Sequence, residues 1–165
     1  YRNELTQGTQ SSNLVIYGHN MRFDGVFGGL VHYNDLTYYR NHPVITFDSV
    51  YKDMKWKIFA GFYVNTTPAE DNGNPIFDYQ NYLDLTNKNR YNEFISQVLS
   101  RSVVKTNVDV KYGDKLLTLS TCANEFKDGR FVVVARLVRD GEDENVDVSK
   151  AVYNPNPVYP AIWHK

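Results

Sequence analysis

Apolar and polar positions along the chain divide it into five strand-like stretches and two helical ones. Leu14-Val15-Ile16-Tyr17 is a short apolar run that stops at Gly18, and its branched residues favour a strand over 14–18. Residues 44–51 and 56–65 alternate and carry aromatic and branched side chains, with Asp53 at the turn between them. Two further strands are predicted over 115–121 and 131–139, and Val108-Asp109-Val110 reads as a minor one before a turn at Gly113-Asp114. The clearest helical signal is Tyr91, Phe94, Ile95, Val98 and Leu99, spaced i, i+3, i+4, i+7 and i+8 within 88–101. A weaker helical spacing runs from Asp24 to Asn41, where Asp35 is placed to cap a second short helix that Pro43 ends. Polar residues 1–13 and the Pro-, Gly-, Asn- and Asp-rich stretch 66–87 read as loops. This order predicts a mostly β domain, a small barrel or sandwich with peripheral helices. The domain covers 1–140. An acidic linker and a tail with Pro155, Pro157 and Pro160 among aromatic residues fill 141–165, and those aromatics are expected to dock.

Composition narrows the chemistry. The 165 residues suit one domain, and no internal repeat is present. A single cysteine excludes an internal disulfide and any multi-cysteine zinc site. A formal net charge of -1 argues against binding nucleic acid through phosphate neutralisation. No apolar run approaches the roughly 20 residues of a membrane span, and no signal-peptide core follows Tyr1. The acidic run 140–147 lacks the ligand spacing of a calcium loop, so no metal or cofactor is expected. Asn65-Thr66-Thr67 matches a glycosylation acceptor, a pattern common by chance.

Three residues stand out by position. By the period-2 rule, Leu117 and Leu119 point to the core, and Thr118, Ser120 and Cys122 to the other face. Cys122 thus ends a strand on a polar face, whereas an inert cysteine is usually a buried small hydrophobe. Arg130 opens the next strand opposite Phe131, Val133, Ala135 and Leu137. Residues 123–129 are a short connection, which favours an antiparallel pair with Cys122 and Arg130 at one end. A guanidinium there can lower a thiol pKa or bind an oxyanion; taken alone it is also an ordinary strand-end arginine. His19 follows the strand 14–18 on the same face as Tyr17. Gly18 lets the chain turn or admits a close neighbour. His32, His42 and His164 read as structural or surface residues.

Tyr17-Gly18-His19-Asn20 after an apolar strand, Thr118-Leu119-Ser120-Thr121-Cys122, and Arg130 opening Phe131-Val132-Val133-Val134-Ala135 resemble the three signature segments of sortases, cysteine transpeptidases of Gram-positive bacteria. The Thr-Leu-Ser-Thr-Cys motif and the helix inserted at 88–101 resemble class B, over residues 1 to about 140. The resemblance implies a sortase-type β-barrel with peripheral helices. It makes Cys122 the nucleophile, His19 the proton donor and acceptor, and Arg130 the group that holds substrate and oxyanion. It further implies substrate contacts at Tyr17, Ser120 and Thr121, a wall from Tyr82 and Leu83, and a hydrogen bond from Asn124, where some relatives carry acidic residues. The implied reaction cleaves an Asn-Pro-x-Thr-type sorting signal after Thr and passes the acyl group through a Cys thioester to an amine. The implied partners are surface proteins and a peptidoglycan cross-bridge or pilin amine, on the extracellular face of the membrane, with an anchor not in this chain.

Two other classes fit the residues: a Cys–His hydrolase releasing the acyl group to water, and a non-catalytic secreted β module. Five substantial strands are fewer than the eight of a sortase barrel. The N-terminal helices and first strands are therefore expected to be missing. The consequence is a bare edge strand, covered by a swapped partner or by the aromatic tail.

Overall fold

The computed structural model describes residues 12–20, 27–47 and 53–163. The readings made for 1–11, for 24–26, for the end of the 44–51 strand and for His164 lie outside the described residues. Strand β1 is Asn13–Tyr17, β2 Val44–Thr46, β3 Lys55–Asn65, β4 Val104–Lys105, β5 Leu116–Cys122, β6 Gly129–Leu137 and β7 Val152–Tyr153. Helix α1 is Leu36–Asn41 and α2 is Lys88–Arg101. A 3-10 turn at Gly28–Asn34 precedes α1 in place of a longer helix. The side chain of Asp35 accepts from Tyr38 N at 2.8 Å, the cap that the sequence placed there. Asn87 caps α2 in the same way through Arg90 N.

Five strands form the main sheet in the order β1-β5-β6-β3-β2. The β1–β5 pair is parallel, and β5–β6, β6–β3 and β3–β2 are antiparallel. The sheet is buried on both faces. Leu117, Leu119, Phe131, Val133 and Ala135 pack under Leu30, Tyr33 and Tyr39. Leu116, Val132 and Val134 pack under Tyr91, Phe94 and Val98 of α2 and under Phe77, Tyr79 and Leu85 of the long loop. The face holding Thr118 and Ser120, read from the sequence as polar and non-core, is therefore interior, and both residues are buried. Hydrogen bonds make this tolerable: Thr118 Oγ1 donates to Asn13 Oδ1 at 2.8 Å, and Ser120 Oγ meets Tyr79 Oη at 2.7 Å.

Strand β3 joins the two layers. Its register shifts between Ile58 and Ala60. Trp56 and Ile58 join the first layer, whereas Phe59, Ala60, Phe62 and Val64 join the second. A bulge of one residue reverses the alternation and bends the strand.

Other expectations are corrected. Residues 108–110 form no strand; instead β4 pairs with β7 in a separate two-stranded sheet. The tail therefore docks, but not by extending the five-stranded sheet. Leu99 of α2 is exposed, so the helix buries the narrower stripe Tyr91, Phe94 and Val98. The acidic run is anchored at Glu142, which accepts from Arg136 and Lys57. Asn65 of the glycosylation pattern is buried.

Candidate active site

Three chain segments converge where β1 and β5 end and β6 begins. The β5–β6 register sets Cys122 opposite Arg130, the pairing that the short connection predicts. Arg130 Nη1 lies 3.2 Å from Cys122 Sγ and 3.2 Å from Gly129 O. Among the described residues no carboxylate pairs with Arg130, so the rest of its donor fork is available to a ligand. Cys122 is half-buried.

His19 reaches the same place through β1. Parallel pairing sets Tyr17 beside Ser120, and Gly18 N continues the ladder to Ser120 O at 3.0 Å. One residue beyond His19, Asn20 Nδ2 donates to Cys122 O at 2.9 Å. The histidine is thus bracketed by two bonds to the strand that carries the cysteine. Its own side chain is exposed. Gly18 is required here: a Cβ would stand 2.4 Å from the Phe27 ring, which packs against the turn.

Tyr17, Gly18, His19, Ser120, Thr121, Cys122 and Arg130 line one cleft of about 170 Å³. A thiol, an imidazole and a guanidinium therefore share one opening whose floor is buried Ser120 and Thr121. Asn124 is exposed and lines a second hollow of about 410 Å³, on the loop side of Cys122 and Arg130. Tyr82 lies elsewhere. Its ring packs against Phe94 at 5.2 Å under the Arg90 guanidinium, and it lines a different cavity beside α2. Leu83 is exposed. The main chain of this pair is nonetheless tied to β1: Asn13 donates through Nδ2 to Tyr82 O and through N to Leu83 O.

Two residues of the site escaped the sequence reading. Asn20 stood in the quoted motif without a role, although an Asn beside a strand-end His can bridge to a neighbouring backbone. Tyr79 sits in the stretch 66–87 that reads as a loop, yet it is 1% exposed and holds Ser120 from below. Burial pushes the Tyr79 hydroxyl up. Bonds with Ser120, Gln80 and Tyr17 and the charge of Arg130 oppose this without cancelling it, so Tyr79 is neutral at pH 7.

This constellation defines a class: a lone strand-end thiol paired with a guanidinium and joined by a histidine from a parallel neighbouring strand. The Sortase domain family model matches residues 1–138, and the chain belongs to the sortase family. Two curated relatives are class B members. Sortase B of Staphylococcus aureus is 28% identical over 143 residues, covering 84% of this chain and 53% of the relative. Sortase B of Listeria monocytogenes is 31% identical over 140 residues, covering 84% and 52%. The chain thus spans about half the length of these relatives. A solved Staphylococcus aureus sortase B–substrate complex superposes with a TM-score of 0.67 at 26% identity, over 79% of this chain and 57% of that one. The mostly β, sortase-type fold expected from the sequence is the fold observed.

Proposed function

We propose that this chain is a class B cysteine transpeptidase that acts on sorting signals of surface proteins. The observation that carries the reading is the 3.2 Å approach of Arg130 Nη1 to Cys122 Sγ, in a cleft that His19 also lines.

The chemistry follows from the groups. The thiolate, not the thiol, is the nucleophilic form of a cysteine. Cys122 passes its proton to His19, and its sulfur attacks the carbonyl carbon of the Thr in an Asn-Pro-x-Thr-type signal. The oxygen gains negative charge, and the N–H groups of Arg130 that do not face the sulfur stabilise it. His19 protonates the departing amine, and the C–N bond breaks to leave a thioester on Cys122. An incoming amine then loses its proton to His19 and attacks the thioester carbonyl; the new amide forms, the C–S bond breaks, and the sulfur takes the proton back from His19. The exposed edge of His19 suits proton exchange with groups arriving from solvent. Tyr17, Ser120 and Thr121 line the peptide side of the cleft, and Asn124 faces the loop-side hollow. Tyr82 and Leu83 contribute through their main chain, which fixes the start of β1. The acceptor is an amine of cell-wall peptide or of a pilin, and the setting is the extracellular face of a Gram-positive membrane.

The test is product analysis with a labelled Asn-Pro-x-Thr peptide, with and without triglycine. The reading predicts cleavage after Thr and a new amide to triglycine. Cleavage with no change of rate or product on adding amine identifies a hydrolase instead. No cleavage of an Asn-Pro-x-Thr or Ser-Pro-x-Thr panel contradicts the substrate assignment.

A further inference from the structure

The loop joining Cys122 to Arg130 is held from outside by a segment beyond the family match. The match ends at residue 138, and the chain then returns across the molecule. Ala151 is buried in the core, and Arg40 Nη2 donates to its carbonyl at 2.7 Å. Strand β7 pairs with β4, Asn154 bonds Val103 O and Ser102 O, and Val158 N bonds Ser100 O. The carboxylate of Asp71, 4% exposed, then accepts from Ala161 N at 3.1 Å and Ile162 N at 2.8 Å. A buried carboxylate that spends both oxygens on consecutive backbone N–H groups fixes the chain at that point.

Trp163 follows at once. It stacks on Tyr159 with ring centroids 4.8 Å apart and on Tyr63 at 4.6 Å, and it meets the edge of Phe126 at 5.7 Å. Phe126 lies in the loop between Cys122 and Arg130. Its ring is so close to Gly129 that a Cβ there would stand 2.9 Å from it. Gly129 is the residue before Arg130, and its carbonyl accepts from Arg130 Nη1. Tyr63 holds the same loop a second way, donating from its hydroxyl to Glu125 Oε1 at 3.0 Å. A continuous set of packed groups therefore runs from Asp71 through Trp163 and Phe126 to the backbone that carries Arg130.

We propose that residues 151–163 form a strap that fixes the Cys122–Arg130 loop, with Trp163 as the positioning residue and Asp71 as its anchor. The catalytic consequence rests on the Cys122–Arg130 reading above; the mechanical one does not. A guanidinium held by the carbonyl of the preceding residue keeps its distance to the sulfur only while that backbone is still. Misplacing a catalytic group by about 1 Å can cost on the order of 100-fold in rate, so partial loosening is expected to cost about tenfold.

The experiment compares Trp163→Ala, Trp163→Phe and Tyr153→Ala in the full chain. Tyr153 ties the far end of the strap to Asp35. Hydrogen exchange is read at the Ala123 and Gly129 amides, which close the loop onto Gly129 O and Phe126 O. Trp163→Ala is expected to speed exchange there by about tenfold or more and to lower kcat for peptide transfer about tenfold with KM little changed. Trp163→Phe is expected to restore both, and Tyr153→Ala to leave both near wild type. Should Trp163→Ala fail to fold, Asp71→Asn replaces it, with the same expectation. Unchanged exchange at Ala123 and Gly129 overturns the strap, whether or not the protein transfers acyl groups. Faster exchange with kcat unchanged overturns the positioning role. Absence of transfer in the wild type would instead count against the proposed function, and the exchange result still decides the strap.

Discussion

Arg130 and Arg136 lie on one strand and one face, six positions apart, and the protein treats them in opposite ways. Arg136 is 1% exposed and saturated. Its guanidinium donates to both oxygens of Glu142 at 2.8 and 2.7 Å, to Asp109 O at 2.6 Å and to Asp109 Oδ1 at 3.1 Å. Glu142 also takes Lys57 at 3.0 Å, and Arg139 binds Asp114 and Asp109 alongside. A buried charge is tolerated only when paired and hydrogen-bonded, and this end of the sheet meets that condition. Arg130 is half-buried, and its bonds are to a sulfur and a carbonyl. One end of β6 spends its cations on closing the structure. The other leaves a cation with donors to spare beside a thiol, in an open cleft. The contrast teaches how to read an arginine: saturation marks a clamp, and unspent donors mark a site that awaits an anion.

Substitutions can break that contrast, the largest effect first. Cys122→Ala is expected to lower acyl transfer by about 1,000-fold or more while the thermal midpoint moves little; transfer assays and calorimetry on the same sample check both. Arg130→Lys keeps the charge but loses the fork, and kcat/KM is expected to fall about 100-fold or more. Glu142→Gln inverts the pattern. Denaturant unfolding should show a loss of about 2–3 kcal/mol, with transfer per folded molecule unchanged. A loss of transfer larger than the loss of folded protein would show that the two ends are not independent.

Acid separates the ends further. Bonds from Arg136 hold the Glu142 carboxyl far below the usual carboxylate range, against its burial. Arg139 likewise lowers Asp109. At Asp114 burial pushes upward, but the bonds from Arg139 and Lys111 N prevail and the net shift is down. Groups lowered in the folded state contribute stability that is fully present above their unfolded pKa and lost as pH falls through the folded one. Stability is thus expected to decline below about pH 5, and Glu142→Gln to flatten that decline. An unaltered profile in the variant would place the acid sensitivity elsewhere. The smallest effect is at Tyr79→Phe. Loss of the bond to Ser120 is expected to lower stability by about 1 kcal/mol and to change kcat/KM less than threefold.

The cleft end was more legible in the sequence than the clamped end. Strand alternation and a short connection are local properties, and they sufficed to set Cys122 opposite Arg130 and to put His19 at a strand end, while the parallel β1–β5 pairing that joins His19 to them is a property of the fold. The helix at Lys88–Arg101 was legible for the same reason. What failed was non-local. The uninterrupted apolar run from Phe131 to Ala135 already implied burial on both faces, but only the loop carrying Phe77 and Tyr79 and the helix carrying Phe94 show what covers the second face. The bulge at β3 reverses its alternation within the apolar run Ile58-Phe59-Ala60, where no polar residue marks the change of face. Glu142 looked like part of a solvated acidic run because its partner Arg136 is reached through the fold. Tyr82 matched a family pattern by position, yet its ring turns to Phe94 and Arg90. Trp163 and Asp71 are 92 residues apart, so no window of sequence joins them.

The central claim is that Cys122, beside Arg130, takes the acyl group. Intact-mass spectrometry with peptide mapping, after incubation with an Asn-Pro-x-Thr peptide and no amine, tests it most directly. The account predicts a mass gain equal to the peptide fragment ending in Thr, carried only on the segment containing Cys122 and removed by triglycine. Cleavage of the peptide by a chain whose Cys122 is fully blocked would contradict it.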